Sequence, residues 1–136
     1  MYTINQLAKD LNVPVSTIRY YEKKGVIFPK REANNYRAFN EHDKNQLRLI
    51  LVMKYSGFTL KQIKELLSLS DLPDDACKTN TDKMISKKRE ELLDKINIYK
   101  QVISLLDDLA PFAINNVSPD AEKLLFEQVN RIFENI

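Results

Sequence analysis

Apolar residues recur at helical spacing from the first turn of the chain. Ile4, Leu7, Ala8 and Leu11 make a stripe behind Thr3, and Gln6 follows Thr3 at the spacing of a capping box. In that motif each side chain bonds a backbone N–H at the helix start. Asn12-Val13 is a short break, and Pro14 sits where a beginning helix tolerates a missing N–H. A second helix is predicted to about Lys24, with Gly25 as its left-handed stop. Two short helices across a tight turn form a helix-turn-helix pattern, the second being the candidate for recognition.

The pattern changes over residues 26–39. Val26-Ile27-Phe28 is a short apolar run, residues 30–35 are polar, and Tyr36-Arg37-Ala38-Phe39 alternates. Two short strands joined at Asn34-Asn35 fit best, giving a β-ribbon wing. Asn40 then caps a third helix, with Asp43 near its positive end, Leu47, Ile50, Leu51 and Lys54 at helical spacing, and Gly57 at its stop. Thr59 with Gln62 repeats the capping-box spacing and opens a fourth helix to about Leu69, with Leu60, Ile63, Leu66 and Leu67 as its stripe.

Residues 70–75 read as a connector. From about Thr81 to Leu109 neither Gly nor Pro interrupts the chain. Ile85, Leu92, Ile96, Tyr99, Ile103, Leu106 and Ala110 follow alternating three-four spacing, once Arg89 is allowed at one seam position. This is a coiled-coil signature over roughly three heptads, on a helix about 40 Å long. A second copy of the same helix is the economical partner for such a stripe. Each buried apolar side chain contributes roughly 1.5–3 kcal/mol before entropic costs. Pro111 is expected to stop this helix, with a loop over 112–118. Ser118-Pro119 then reads as a cap and first-position proline for a last helix whose broad apolar face carries Leu124, Leu125, Val129, Ile132, Phe133 and Ile136. The fold class expected is therefore mainly α. A winged helix-turn-helix occupies 1–70, a linker 71–80, a dimerisation helix 81–110, and a C-terminal loop and amphipathic helix 111–136.

Charge adds an asymmetry. Residues 1–70 hold 12 Lys/Arg against 6 Asp/Glu, and residues 71–136 hold 9 against 13, which sums to the net +2. The basic front half suits a polyanion. One cysteine in 136 residues leaves no internal disulfide. Residues 1–12 do not read as a signal peptide and no apolar run reaches membrane-spanning length, so a reducing, cytoplasmic setting is expected, without a membrane partner. Paired catalytic carboxylates, a nucleophile–His arrangement, a Gly-rich phosphate loop and a metal motif are not seen. The chain does not read as an enzyme, and no cofactor is implied.

Val15-Ser16-Thr17-Ile18-Arg19-Tyr20-Tyr21-Glu22 is the most informative segment. Helical spacing puts Ser16, Arg19, Tyr20 and Lys23 on one face. Small hydroxyls near a helix N-terminus approach phosphates or base edges closely. An arginine bonds a guanine edge in bidentate fashion, worth roughly 1–3 kcal/mol of discrimination. One of the two tyrosines is expected in the core, with Tyr21 the favoured one.

Thr3-Ile4-x-x-Leu7-Ala8, Val15 through Gly25, Tyr36-Arg37-x-Phe39 and Gly57-Phe58-Thr59-Leu60-x-x-Ile63 together resemble the MerR family of bacterial transcription regulators in order and spacing. The match spans residues 2–69. The resemblance implies a major-groove helix carrying Ser16, Thr17, Arg19 and Tyr20, and a wing that contacts phosphate or the minor groove through Tyr36 and Arg37. It also implies phosphate contacts near Lys54 and Phe58-Thr59-Leu60. The long helices would pair antiparallel in a homodimer through Ile85, Leu92, Ile96, Tyr99, Ile103 and Leu106. The implied partners are double-stranded promoter DNA with an overlong spacer and RNA polymerase, engaged through distortion of that DNA when an unknown effector binds. Pro14 departs from the serine often found there, so a cap contact is missing.

Cys77 lies where metal-sensing members carry a ligand, but the loop after the long helix lacks their cysteine pair, and zinc or copper takes two to four N/S ligands. No metal site is expected. An ordinary thiol is the main reading of Cys77, beside a redox or metal-responsive role. His42 reads as a solvated helix-start residue. Phe112, Ile114, Phe126 and Phe133, with Leu125 and Tyr99, are candidates to line an effector pocket against a partner's DNA-binding domain. The competing expectation is that they only pack the last helix. A protein-interaction or chaperone-modulating module on the same fold is the alternative function. Such a module would dispense with Arg19 and Arg37.

Overall fold

A computed structural model describes residues 1–68, 75–114 and 118–136, with the α5 side chains of 80–109. Among the described residues, six helices and two strands follow in the order α1 (Ile4–Leu11), α2 (Val15–Lys23), β1 (Lys30–Arg31), β2 (Arg37–Ala38), α3 (Glu41–Tyr55), α4 (Leu60–Leu67), α5 (Asp75–Ile114) and α6 (Pro119–Glu134). The chain divides into two compact units, Met1–Lys88 and Arg89–Ile136.

In the first unit, three helices start on reciprocal side-chain caps. Thr3 accepts from the Gln6 amide at 3.2 Å while Gln6 accepts from the Thr3 amide at 2.9 Å. Asn40 and Asp43 do the same for α3, and Thr59 and Gln62 for α4. Each box satisfies two amides that the first helical turn leaves without partners. Helix α2 starts without such help, because Pro14 occupies its cap and makes no side-chain cap bond.

Helix ends aim the chain inward. Gly25, at φ +75°, and Gly57, at φ +99°, take conformations that a Cβ disfavours. The bonds Val26 N to Tyr21 O and Phe58 N to Met53 O close these turns. They drive Val26 and Ile27, and then Phe58, into a core built on Leu7, Ile18, Phe39, Leu47, Ile50 and Ile63. Tyr21 is buried and Tyr20 half exposed, as expected of the pair. Burial raises the Tyr21 phenol above its usual range, and the neighbouring Tyr20 adds to it.

The wing is shorter than its sequence suggests. Strands β1 and β2 pair antiparallel as Lys30 with Ala38 and Arg31 with Arg37, and Asn35 turns between them at φ +66°. Val26 and Ile27 belong to the core and not to the ribbon, and Pro29 has no N–H to carry a ladder back toward them. Tyr2 adds a bridge on the other side, exchanging two backbone bonds with Phe39. Its hydroxyl donates to the Glu41 carboxylate, which raises the Tyr2 phenol.

Helix α5 differs from expectation at both ends. It is already helical at Asp75, inside the expected 71–80 linker, whose residues 71–74 lie outside the described ones. The first unit therefore takes in the opening turns of α5 and does not close at residue 70. Thr81 is buried, Met84 packs on the core, and Lys88 donates to the Gly57 carbonyl at 3.3 Å beneath the Phe58 ring. At the far end α5 continues through Pro111 to Ile114. A proline in a final turn forfeits one backbone bond and leaves the residues before it helical.

In the second unit Ser118 caps α6, accepting from the Ala121 amide at 3.3 Å, with Pro119 at the first position. Leu125 and Ile132 of α6 are buried, and Ile98, Val102, Leu105 and Leu109 of α5 are half-buried. No helix among the described residues is long and apolar enough to cross a membrane.

Candidate nucleic-acid interface

Helix α2 has two faces. Ile18 and Tyr21 pack inward, while Ser16, Arg19, Tyr20 and Lys23 are exposed and Thr17 is half-buried. The inward residues fix the rotation of the helix, and so fix which side chains face outward. Arg19 stands in the middle of the outward face. Lys24 Nζ lies 5.6 Å from the Tyr20 ring centroid, which presents a cation and an aromatic ring together.

The wing is tied to this helix by Glu22. Its carboxylate accepts from Arg31 Nη2 at 3.1 Å and from Arg37 Nε. Arg31 comes from β1 and Arg37 from β2, so one acidic side chain on α2 holds both strands. Arg31 also donates to the Asn35 carbonyl across the turn at 3.1 Å. One edge of the Arg37 guanidinium is committed to Glu22 in a half-buried pair, which leaves the other edge for a second acceptor. Planar guanidinium suits such a division, with a fork of donors to share between two acceptors.

An open cleft of about 580 Å³ runs between α2 and the wing, lined by Arg19, Arg31, Tyr36 and Arg37 together with Thr3, Ile4, Asn5 and Asn35. Three guanidinium groups converge on it from different elements. Tyr36, at 71% exposure, stands at the tip of the wing. A second hollow of about 340 Å³ is lined by Tyr20, Lys24, Leu60, Lys61 and Lys64. Lys64 Nζ reaches 3.3 Å from the position a Cβ on Gly25 would take, so glycine there leaves room for the amine. The arrangement presents guanidinium, ammonium and phenol donors to an anionic, grooved partner, the donor chemistry that holds phosphates.

Arg19, Tyr36 and Arg37 are thus brought to one cleft and Tyr20 to the hollow beside it, while Lys54 and Thr59 line neither. The Thr59 hydroxyl is engaged as an acceptor in its own cap. Sequence reasoning missed Lys24, Arg31, Lys61 and Lys64. The signal for the last two was present: they stand three apart, off the Ile63–Leu66 core stripe.

In the second unit, the seam residues Leu92, Ile96, Tyr99, Ile103 and Leu106 are all exposed on the single chain. The candidate effector residues divide. The side chains of Phe112 and Ile114 lie outside the described residues, as does that of Cys77. Leu125 is buried in α6. A groove of about 300 Å³ between α5 and α6 is lined by Gln101, Ser104, Gln128, Arg131, Ile132 and Asn135. Phe126 and Phe133 take no part in it and point to solvent instead. Leu125 and Ile132 are the buried residues of α6, and the next residue round the helix is turned about 100° away from each. Among the described residues no group of His, Cys, Asp and Glu is placed to hold a metal ion.

Comparison with known proteins gives two family matches. Residues 2–70 match the model of MerR HTH family regulatory proteins, and residues 45–109 match the MerR DNA-binding model. The chain is 35% identical over 109 residues to the mercuric resistance operon regulatory protein of Bacillus cereus, covering 79% of this chain and 82% of that one. It is 31% identical over 125 residues to the ZntR homolog regulator of Haemophilus influenzae, covering 91% of each. A crystal structure of a MerR-family transcriptional regulator from Bacillus thuringiensis superposes with TM-score 0.61 at 30% identity, over 80% of this chain and 96% of that one. The fold is also that of HiNmlR, a MerR family regulator lacking the sensor domain and solved bound to promoter DNA, with TM-score 0.70 at 24% identity, over 82% of this chain and 89% of that one.

Proposed function

The chain belongs to the MerR family of DNA-binding transcription regulators, and from that premise we propose a homodimer that grips an overlong promoter spacer through the α2–wing cleft and activates by bending and twisting it. The observation that carries this reading is the convergence of Arg19, Arg31 and Arg37 with Tyr36 on one cleft, held in register by Glu22. Arg19 on α2 reads base edges in the major groove, with Ser16, Thr17, Tyr20 and Lys23 beside it. Arg31, Tyr36 and the remaining edge of Arg37 take phosphates. Lys24, Lys61 and Lys64 form a second grip beside Tyr20, and Lys54 and Thr59 are kept as phosphate contacts near the α3–α4 turn. Phosphate grips on either side of the reading helix give the protein purchase to deform DNA, an energy applied to shape more than to bases. RNA polymerase would then meet promoter elements brought into alignment.

Dimerisation is assigned to the exposed α5 seam of Ile85, Leu92, Ile96, Tyr99, Ile103 and Leu106, an apolar stripe that a second copy covers. Some relatives are named for mercuric resistance or for dependence on heavy metal. Cys77 is the one cysteine of this chain and has no second thiolate beside it in the sequence, and its one histidine, His42, opens α3 in the DNA-binding half, so a metal effector is not assigned.

The test is binding to promoter duplexes selected from genomic DNA, followed by Arg19→Ala and Arg37→Ala. Arg19→Ala should relax base preference by roughly 1–3 kcal/mol at its contacted step, about 5- to 150-fold in the specificity ratio. Arg37→Ala should weaken binding to all sequences alike. Promoter affinity unchanged in both variants would reject the assignment of the cleft to DNA.

A further inference from the structure

We infer that α6 is part of the dimer interface: its Phe126–Phe133 face lies beside the α5 seam, and a second copy of this chain covers both. The inference rests on the seam being the dimer contact.

Helices α5 and α6 are antiparallel. One ends at Ile114 and the other begins at Pro119, while the groove between them is lined by Gln101 and Ser104, well back along α5, and by Gln128, Arg131, Ile132 and Asn135, well forward along α6. The less exposed side of each helix runs with the groove: Ile98, Val102 and Leu105 are half-buried on the stretch of α5 that carries Gln101 and Ser104, and Leu125 and Ile132 are buried on α6, Ile132 lining the groove itself. In each case the next residue in the chain is apolar and exposed. Tyr99, Ile103 and Leu106 follow on α5, at 64%, 58% and 57% exposure. Phe126 and Phe133 follow on α6, at 54% and 75%.

One residue further along an α-helix is a rotation of about 100° in a fixed sense. On two antiparallel helices that face each other, rotations of the same sense point to the same side of the pair. The two sets of exposed residues therefore open on one side of the hairpin, as a single apolar surface made by both helices. The half-buried Val129 lies on the same face of α6.

Area favours a second copy as occupant. Five seam side chains in this unit, about half exposed and worth roughly 60–120 Å² each when fully covered, bury about 150–300 Å² per partner. Stable interfaces bury about 800 Å² per partner. Phe126 and Phe133, more than half exposed and worth roughly 150–250 Å² apiece when fully covered, supply about 200–300 Å² more. Because both rows open on one side of the hairpin, a copy that covers the seam faces the phenylalanines as well.

The full chain is compared with Phe126→Ser/Phe133→Ser, Phe133→Leu and Ile96→Asp by sedimentation over a concentration series, with far-UV circular dichroism alongside. Both phenylalanines are exposed on the single chain, so helicity should hold in the serine variant while its dimer dissociation constant rises at least tenfold. Phe133→Leu, which keeps apolar area, should stay within about threefold of the parent. Loss of the dimer with Ile96→Asp but an unchanged constant in the serine variant overturns the α6 face alone. A dimer that survives Ile96→Asp overturns the seam, and the inference with it.

Discussion

Glu22→Ala should unseat the wing from the reading helix. The substitution removes the acceptor shared by Arg31 and Arg37. The Glu22 and Arg37 side chains are about one-fifth exposed and Arg31 about two-fifths, so the pairs are neither fully screened nor fully buried. Exposed ion pairs give about 0.2–1 kcal/mol each, and hydrogen bonds to charged groups up to about 1.5–3. A figure in the upper half of the first range, about 0.5–1 kcal/mol per pair, makes roughly 1–2 kcal/mol for the bridge. For a unit of this size that lowers Tm by about 5–10 °C. If the same free energy holds the wing in its binding geometry, specific promoter affinity falls about 5- to 30-fold. Affinity for random duplex should move the other way or stay level, because the head gains one net positive charge and two released guanidinium groups. Fluorescence anisotropy on both duplexes at several salt concentrations, with thermal melting of the variant, reads each term. Equal loss on both duplexes would show that Glu22 supports the fold without setting the wing. No loss in either affinity or Tm would refute the bridge.

Two further outcomes follow from the same geometry. Lys61→Ala/Lys64→Ala should reduce the slope of log affinity against log salt by about 2, near 0.9 for each phosphate that a lysine no longer neutralises, with base preference unchanged. A slope equal to that of the parent would place the hollow beside Tyr20 off the DNA. Folding stability should be level up to about pH 9 and fall above about pH 10, because burial holds the Tyr21 phenol neutral where the unfolded chain would ionise it. The unfolded state then binds fewer protons than the native one, so rising pH favours unfolding. Urea melts at pH 8 and pH 10.5 should show the loss, and Tyr21→Phe should reduce it.

The elements that the sequence made legible are those whose cause is local. A capping box is a contact between residues three apart, so Thr3-Gln6 and Thr59-Gln62 could be read directly, and both form. Gly25 and Gly57 end their helices for a reason internal to the residue itself. The order of helix, turn and helix, the outward row of Ser16, Arg19, Tyr20 and Lys23, and the apolar seam of α5 follow from periodicity, a property of the chain read in one dimension.

Tertiary structure decided what depends on pairs distant in the chain. The sequence offered Arg37 as a DNA contact on the wing; that Glu22, fifteen residues earlier, holds it beside Arg31 is visible only in the fold. Val26 and Ile27 looked like strand until the turn at Gly25 placed them in the core. The apolar residues of α5 and α6 were legible as apolar, yet composition could not say which of two adjacent residues faces inside the chain and which faces outside it. Packing chose Leu125 and Ile132 for the inside and left Phe126 and Phe133 for solvent. Periodicity states that a helix has a greasy side; only a neighbouring helix, by occupying one part of that side, divides it into core and interface.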